Sequence, residues 1–276
     1  MRAFLAAIMA SLILATPARA GFERLFVPKS ELIDPAWLQR TAGSSTTIDH
    51  QVWGQFLGRY VTKDGVGINR ISYARVSSAD RAALEGYLSD LRSVDPSQLD
   101  RDEQLAFWIN LYNAQTVALI LANYPVGSIR DISTGLFGLG PWDNPAVSIL
   151  GQPLSLNDIE HGVIRPVYQD ARIHYALNCA AVSCPNLAAK AYQGATLEQD
   201  LARAEHDYIN DPRGVRLRNG LLVISSIYVW FREDFADSEA GVLDYLRRHA
   251  EGRAAEALSG KRRPDDHAYD WALNDR

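Results

Sequence analysis

Both cysteines of the 276-residue chain lie in one short stretch, HYALNCAAVSCPNL, residues 174–187. Cys179 and Cys184 are five positions apart, and His174 precedes the first by five. A thiolate beside an imidazole is a nucleophile. A thiol beside a second thiol is a disulfide in waiting, above all outside the cytoplasm. A bridge needs Cα atoms within about 7 Å, whereas five extended steps span about 16 Å. The intervening AAVS must therefore fold back, which small Ala180 and Ala181 and the following Pro185 allow. So short a loop stabilises by only about 2 kcal/mol. Two cysteines also fall short of the four ligands of a structural zinc site, and the residues call for no cofactor.

Three other groups hold candidate residues. Asn110 and Asn113 share a face of one helix. Either they brace loops through backbone hydrogen bonds, or one orients a catalytic imidazole as in a Cys-His-Asn site. In LNDIEHGVIR, His161 lies one turn from both Asn157 and Arg165, while the adjacent Glu160 points elsewhere. His161 is a general base or a satisfied buried histidine. Arg165 complements a helix end or grips a substrate carboxylate. If IHYALNC is one strand, His174 and Asn178 share a face and Cys179 takes the other. A direct His174–Cys179 dyad is then excluded, and His161 becomes the better partner.

The elements that must position these residues follow from periodicity. After an N-terminal extension (residues 21–48) of loose structure, Val52, Phe56 and Tyr60 form a helical stripe with Trp53 and Leu57 beside it. VTKDGVGINRISY reads as a hairpin turning at Asp64-Gly65. A helix capped by Ser78 or Asp80 carries Leu84, Leu88 and Leu91. Asp100 and Glu103 have capping-box spacing before DEQLAFWINLYNAQTVALILANY, which is apolar nearly all round and belongs at the centre of the domain. GLFGLG lacks the Lys-Ser/Thr of a phosphate loop. VSILGQPLSL is a second hairpin, Ser155 and Asp158 a second capping box, and Pro166 should end or kink the helix they start. Residues 198–209 are helical, VRLRNGLLVIS is a hairpin turning at Asn219-Gly220, and helices cover SIYVWFREDF and VLDYLRRHA. From SGKRRPDD onward the chain looks irregular. Hairpins and helices without βαβ alternation predict an α+β fold. A central buried helix packs there on an antiparallel sheet built from hairpins, with further helices around it, in one domain over residues 49–276.

The first twenty residues, MRAFLAAIMASLILATPARA, have a basic start, an apolar run and a small-x-small end, the pattern of a signal peptide cut after Ala20. Cleavage removes Arg2 and Arg19, so 28 basic residues become 26 against 33 acidic, and formal charge moves from −5 to −7. That balance argues against nucleic acid as partner. No later segment approaches 18 consecutive apolar residues, so the mature chain is expected to be soluble, periplasmic or secreted. Six tryptophans and twelve tyrosines would suit an envelope assembly partner, but a core of this size can absorb them.

Taken together, EQLAFWINLYNAQT, LNDIEHGVIR, IHYALNCAAVSCPNL, VWFREDF and YDWALND resemble the family of domain of unknown function 547 over residues 49–275. The resemblance implies a shared fold and a shared polar cluster, without a reaction. The cluster comprises Asn110, Tyr112, Asn113, Glu160, His161, Arg165, His174, Asn178, Cys179, Cys184, Pro185, Trp230 and Asp234. A looser similarity to papain-like and transglutaminase-like thiol enzymes departs from their order, because here the cysteines follow both histidines. The expectation is therefore a pocket for a small-molecule or peptide-like ligand, lined by Asn113, Glu160, Arg165 and Asn178, with Cys179 and Cys184 bridged. The competing expectation is a thiol hydrolase or acyl transferase with Cys179 as nucleophile, His161 or His174 as base and Asn110 or Asn113 as orienter.

Overall fold

A computed structural model of the protein describes residues 27–132 and 140–276. The leader expected over residues 1–20 and most of GLFGLG lie outside them. In chain order, α1 (Gln51–Tyr60) leads into the hairpin β1 (Val61–Lys63) and β2 (Asn69–Ile71), then α2 (Ser78–Arg92) and α3 (Arg101–Asn123). The hairpin β3 (Pro145–Ile149) and β4 (Gln152–Ser155) feeds a π-helical segment, Asp158–Ile164, that continues as α4 (Arg165–Tyr168). One helical turn, α5 (Ile173–Ala176), precedes the cysteine loop. Then come α6 (Leu197–Ile209), the hairpin β5 (Val215–Arg218) and β6 (Leu221–Ser225), and two short turns, α7 (Ile227–Trp230) and α8 (Arg232–Phe235). The helices α9 (Glu239–His249) and α10 (Gly252–Leu258) and the strand β7 (Asp266–Ala268) complete the order.

The α+β class and the central helix hold. Helix α3 is buried on almost every side, from Glu103 to Leu121. Among the described residues it is the one helix long and apolar enough to cross a membrane, and 83% of that stretch is buried inside the protein. Such all-round apolarity marks a core helix here. The sheet differs from expectation. Among the described residues there are three small sheets rather than one: β1-β2, β3-β4, and β5-β6-β7. In the last, β7 lies parallel to β6, because the chain returns through α7 to α10 instead of through a hairpin. The irregular ending expected beyond residue 259 therefore contains a strand.

Local signals explain most of the elements. Asn219 and Gly220 take left-handed backbone (φ 54° and 78°), the geometry of a tight hairpin turn. Leu150 and Gly151 do the same for β3-β4. Ser77, one residue before the expected caps, accepts from the Asp80 N–H at 3.1 Å. In α1 the buried stripe is Trp53, Phe56, Leu57 and Tyr60, and Val52 faces solvent. The extension is less loose than its composition suggests. Trp37 is buried edge-on to Trp108, their ring centroids 5.3 Å apart, and the Gln39 carbonyl accepts from Gln104 Nε2 at 2.8 Å.

Two helix starts show how capping positions the site. Asp100 caps α3 by accepting from the Asp102 and Glu103 N–H groups. The Glu103 carboxylate does not reach back to close a box. It accepts instead from Ile48 N and Gly194 N, each at 2.8 Å, tying two distant loops to the helix start. Ser155 and Asp158 do form a reciprocal box: Asp158 Oδ2 accepts from Ser155 N (2.8 Å), and Ser155 Oγ accepts from Asp158 N (3.0 Å).

Candidate functional site

The π-helical segment is the first determinant of the site. A π turn closes i→i+5 and recurs at functional positions. It spreads one revolution over more residues, so neighbours splay less than on an α-helix. Glu160 and His161, expected to point apart, consequently line the same pocket, with His161 Nδ1 3.9 Å from Glu160 Oε1. The extension runs along this segment and uses its carbonyls. Glu31 N donates to the His161 carbonyl and Ile33 N to that of Gly162, both at 3.1 Å. Gly162 permits that approach, since a Cβ there would sit 2.7 Å from Ile33 Cγ2.

Arg165 and Asp234 form the second layer. Arg165 grips Asp234 with two bonds, Nε to Oδ2 at 2.6 Å and Nη2 to Oδ1 at 3.1 Å. Its Nη1 donates to the Pro28 carbonyl at 3.1 Å and lies 3.2 Å from His161 Nδ1. A guanidinium only donates, so Nδ1 accepts and the neutral His161 ring carries its proton on Nε2. Burial pushes His161 down to about 4; the Glu160 carboxylate opposes this and the Arg165 charge adds to it. His161 is thus neutral at pH 7 and offers an N–H.

His174 joins the two layers. Its Nε2 is 2.6 Å from Asp234 Oδ2, and its Nδ1 faces Glu160 Oε1 at 3.8 Å. Phe231 stacks on the imidazole, with centroids 4.2 Å apart and planes 13° from parallel, and the Arg165 guanidinium lies 5.1 Å over the same ring. Burial raises the Asp234 carboxyl, but the bonds from His174 and Arg165 outweigh it and hold the group at about 2. Burial first, then the Glu160 charge, pushes the Tyr112 hydroxyl well above its ordinary range.

The strand expected at IHYAL is the helical turn α5, its backbone closed by Leu177 N donating to the Ile173 carbonyl at 3.0 Å. The face-parity argument that separated His174 from Cys179 therefore lapses, and both line the pocket. Cys179 and Cys184 stand at disulfide distance, their Cα atoms 6.3 Å apart. The reversal that brings them together uses left-handed backbone at Ala180 (φ 61°) and a bond from Ala180 N to Asn178 Oδ1 at 2.9 Å. Tyr269 OH lies 3.2 Å from one sulfur and 3.0 Å from the other. Among the described residues, no contact joins either sulfur to His161 or His174.

The pocket encloses about 230 Å³, just below the usual range of ligand clefts, roughly 300–1,000 Å³. Glu160, His161, His174 and Tyr112 lie on one part of its lining, and a group of aromatic rings forms another. Trp271 stacks on Trp230 with centroids 5.7 Å apart, meets Tyr269 at 4.7 Å, and takes Trp142 edge-on at 5.6 Å. Trp230, Tyr269 and Trp271 were legible only as parts of unusual motifs and Trp142 in none, because the rings converge from three distant segments. Among the described residues, no group of three or more His, Cys, Asp or Glu is placed to hold a metal.

The three asparagines stand elsewhere. Asn110 donates to the Tyr192 carbonyl (2.8 Å) and accepts from Tyr192 N (3.0 Å). Asn113 donates to the Ala176 carbonyl (2.9 Å) and accepts from Asn178 N (2.8 Å). Asn178 donates to the Pro185 carbonyl (2.8 Å) and turns its oxygen to Ala180 N. Each braces a loop, and none is on the pocket lining. Arg165 sits behind the lining, engaged with Asp234.

Residues 96–209 match the model of a family described as "Protein of unknown function, DUF547". The match takes in α3, the π-helical segment, the cysteine loop and α6, and stops before VWFREDF and YDWALND. No curated protein and no solved structure matches the chain. Residues 96–209, less than half of the chain, are what is similar to this family of unknown function.

Proposed function

We propose that the protein is an exported domain that binds a small or peptide-like ligand in the pocket between the aromatic rings and Glu160. One observation carries this reading. Glu160 and His161 are buried, yet their bonding capacity is not consumed by the backbone as that of the asparagines is. Glu160 supplies an acceptor and His161 Nε2–H a donor, the complement of an amide or an amine bearing an acceptor nearby. Export rests on the leader pattern of residues 1–20, and a cysteine pair at disulfide distance suits an oxidising compartment.

Three tryptophans line the pocket, so its occupancy should be visible in their emission. Titration of the mature protein with tri-alanine, its N-acetyl form, and small amines and alcohols should give a saturable change with at least one. Trp142→Ala should weaken that change. If no member of the panel changes the emission saturably, the ligand reading is wrong. Protein recovered from the cell envelope should begin at Gly21; an intact leader on cytoplasmic protein would overturn the export half.

A second reading has one observation in its favour: Cys179 lines the same pocket as both histidines. A thiol hydrolase would need Cys179 as a free thiolate. It predicts that the reduced protein is alkylated at Cys179 far faster than at Cys184, and that His161→Ala or His174→Ala removes the difference. Equal rates would end this reading.

A further inference from the structure

The composition of the pocket narrows the ligand. Building on the pocket reading above, we infer that the site selects a cationic amine, its ammonium held by the Glu160 carboxylate among the rings of Trp142, Trp230, Tyr269 and Trp271. The charges on the lining are the Glu160 and Asp143 carboxylates, the Arg130 guanidinium, and the two imidazoles. His161 is neutral at pH 7, and His174 turns its Nε2 to Asp234. Arg165, the strongest cation nearby, is committed to Asp234 by two bonds. Among the described residues, Glu160 therefore has only imidazole nitrogens as ionic neighbours within 4 Å, at 3.8 and 3.9 Å, both beyond hydrogen-bond range.

The aromatic part of the lining suits the same cation. An ammonium is attracted to the face of an indole or phenol ring within about 6 Å, most strongly where water is excluded. One cation already uses this surface, since the Arg130 guanidinium lies 5.3 Å over Trp271. Some uncharged donors of the lining are spent, while Trp230 Nε1 and the His161 Nε2–H are not. Asn157 Nδ2 donates to Asp143 Oδ1 (2.6 Å), Tyr269 OH is engaged with the two sulfurs, and Tyr112 OH with Glu160. A sugar or polyol needs many matched hydrogen-bonding partners in a dry site. An ammonium needs one carboxylate and ring faces, and this pocket supplies both. Primary amines, lysine side chains and peptide N-termini share this chemistry.

Isosteric pairs test the charge alone. Tryptophan emission of the mature protein is titrated with choline and its neutral carbon isostere 3,3-dimethylbutan-1-ol, with n-butylammonium and 1-butanol, and with tri-alanine and N-acetyl-tri-alanine. The charged member of at least one pair should bind at least tenfold tighter. Glu160→Gln should reduce that preference to less than threefold. Trp142→Leu should weaken the cation more than its isostere, which guards against a Glu160 variant that fails to fold. The pair with the largest preference identifies the source as a quaternary amine, a primary amine or a peptide terminus. Equal affinity within every pair, or a preference that survives Glu160→Gln in a folded protein, would overturn the cationic assignment while leaving the pocket reading standing. If neither charged nor neutral probes bind, both fail.

Discussion

Two sets of buried polar side chains lie within a few turns of each other and behave differently. Asn110, Asn113 and Asn178 each give both faces of their amide to backbone groups of a loop. Glu160, His161, His174 and Arg165 are instead engaged mainly with side chains, Arg165 and His174 both bonding Asp234, and three of the four border a cavity. The asparagines are engaged with backbone groups away from the pocket lining, and removing one leaves those groups stranded. The pocket group is satisfied as a charge network that ends in an acceptor and a donor with capacity to spare. Burial of a polar residue alone does not mark a site; what distinguishes these two regions is where the bonding capacity goes.

The largest test of that contrast is Arg165→Ala. It removes the buried guanidinium of a bidentate pair and leaves the partly buried Asp234 without that counter-charge, at a cost of about 3–5 kcal/mol in denaturant unfolding. A loss below about 1 kcal/mol would mean that the pocket layer does not hold the fold.

The pH dependence comes next. His161 is held at about 4 against an ordinary value of 6.5, so the unfolded chain binds the proton more readily. Stability is therefore full above pH 6.5 and falls as pH drops toward 4, by about 3 kcal/mol from this group. His50, also pushed to about 4 by burial, acts in the same window and direction. His161→Gln should reduce the slope of unfolding free energy between pH 6 and 4.5 by up to about 1.4 kcal/mol per pH unit, one proton's worth. An unchanged slope would show that His161 is not the buried neutral ring described.

Asn113→Ala strands the Ala176 carbonyl and the Asn178 N–H, costing about 2 kcal/mol in stability. Ligand-induced change in emission should persist in the folded variant. The reverse holds for Glu160→Gln, which keeps an acceptor for Tyr112 and should alter stability by less than about 1 kcal/mol while changing ligand preference. If Asn113→Ala abolished binding, or Glu160→Gln unfolded the protein, the separation between bracing and binding residues would collapse.

Local chemistry was legible where a few adjacent residues decide the outcome. Asn219-Gly220 announces its turn because only residues tolerant of left-handed backbone fit there. Ser155 and Asp158 announce a helix start because their side chains satisfy each other's N–H. Glu103 shows the limit. Its spacing reads as a capping box, yet the carboxylate goes to Ile48 and Gly194, partners 55 and 91 residues away. IHYAL shows another. Five residues with β-branched and aromatic members suit a strand or a helical turn equally, and the choice fell to packing of His174 and Tyr175 against Phe231, Tyr208 and Phe235.

From the sequence alone came the α+β class, the buried central helix, the hairpin turns, the likeness to a family, and a pool of residues containing Glu160, His161, His174 and both cysteines. Each rests on short-range rules of backbone geometry, periodicity and motif. Tertiary structure alone decided which of that pool faces a cavity and which braces a loop. It also brought Trp142, Trp230, Tyr269 and Trp271 from three separate segments to one surface, and widened a helix into a π turn so that Glu160 and His161 meet there. The reason is physical: a side chain's remaining hydrogen-bonding capacity depends on partners that folding brings from far along the chain, and no local pattern encodes them.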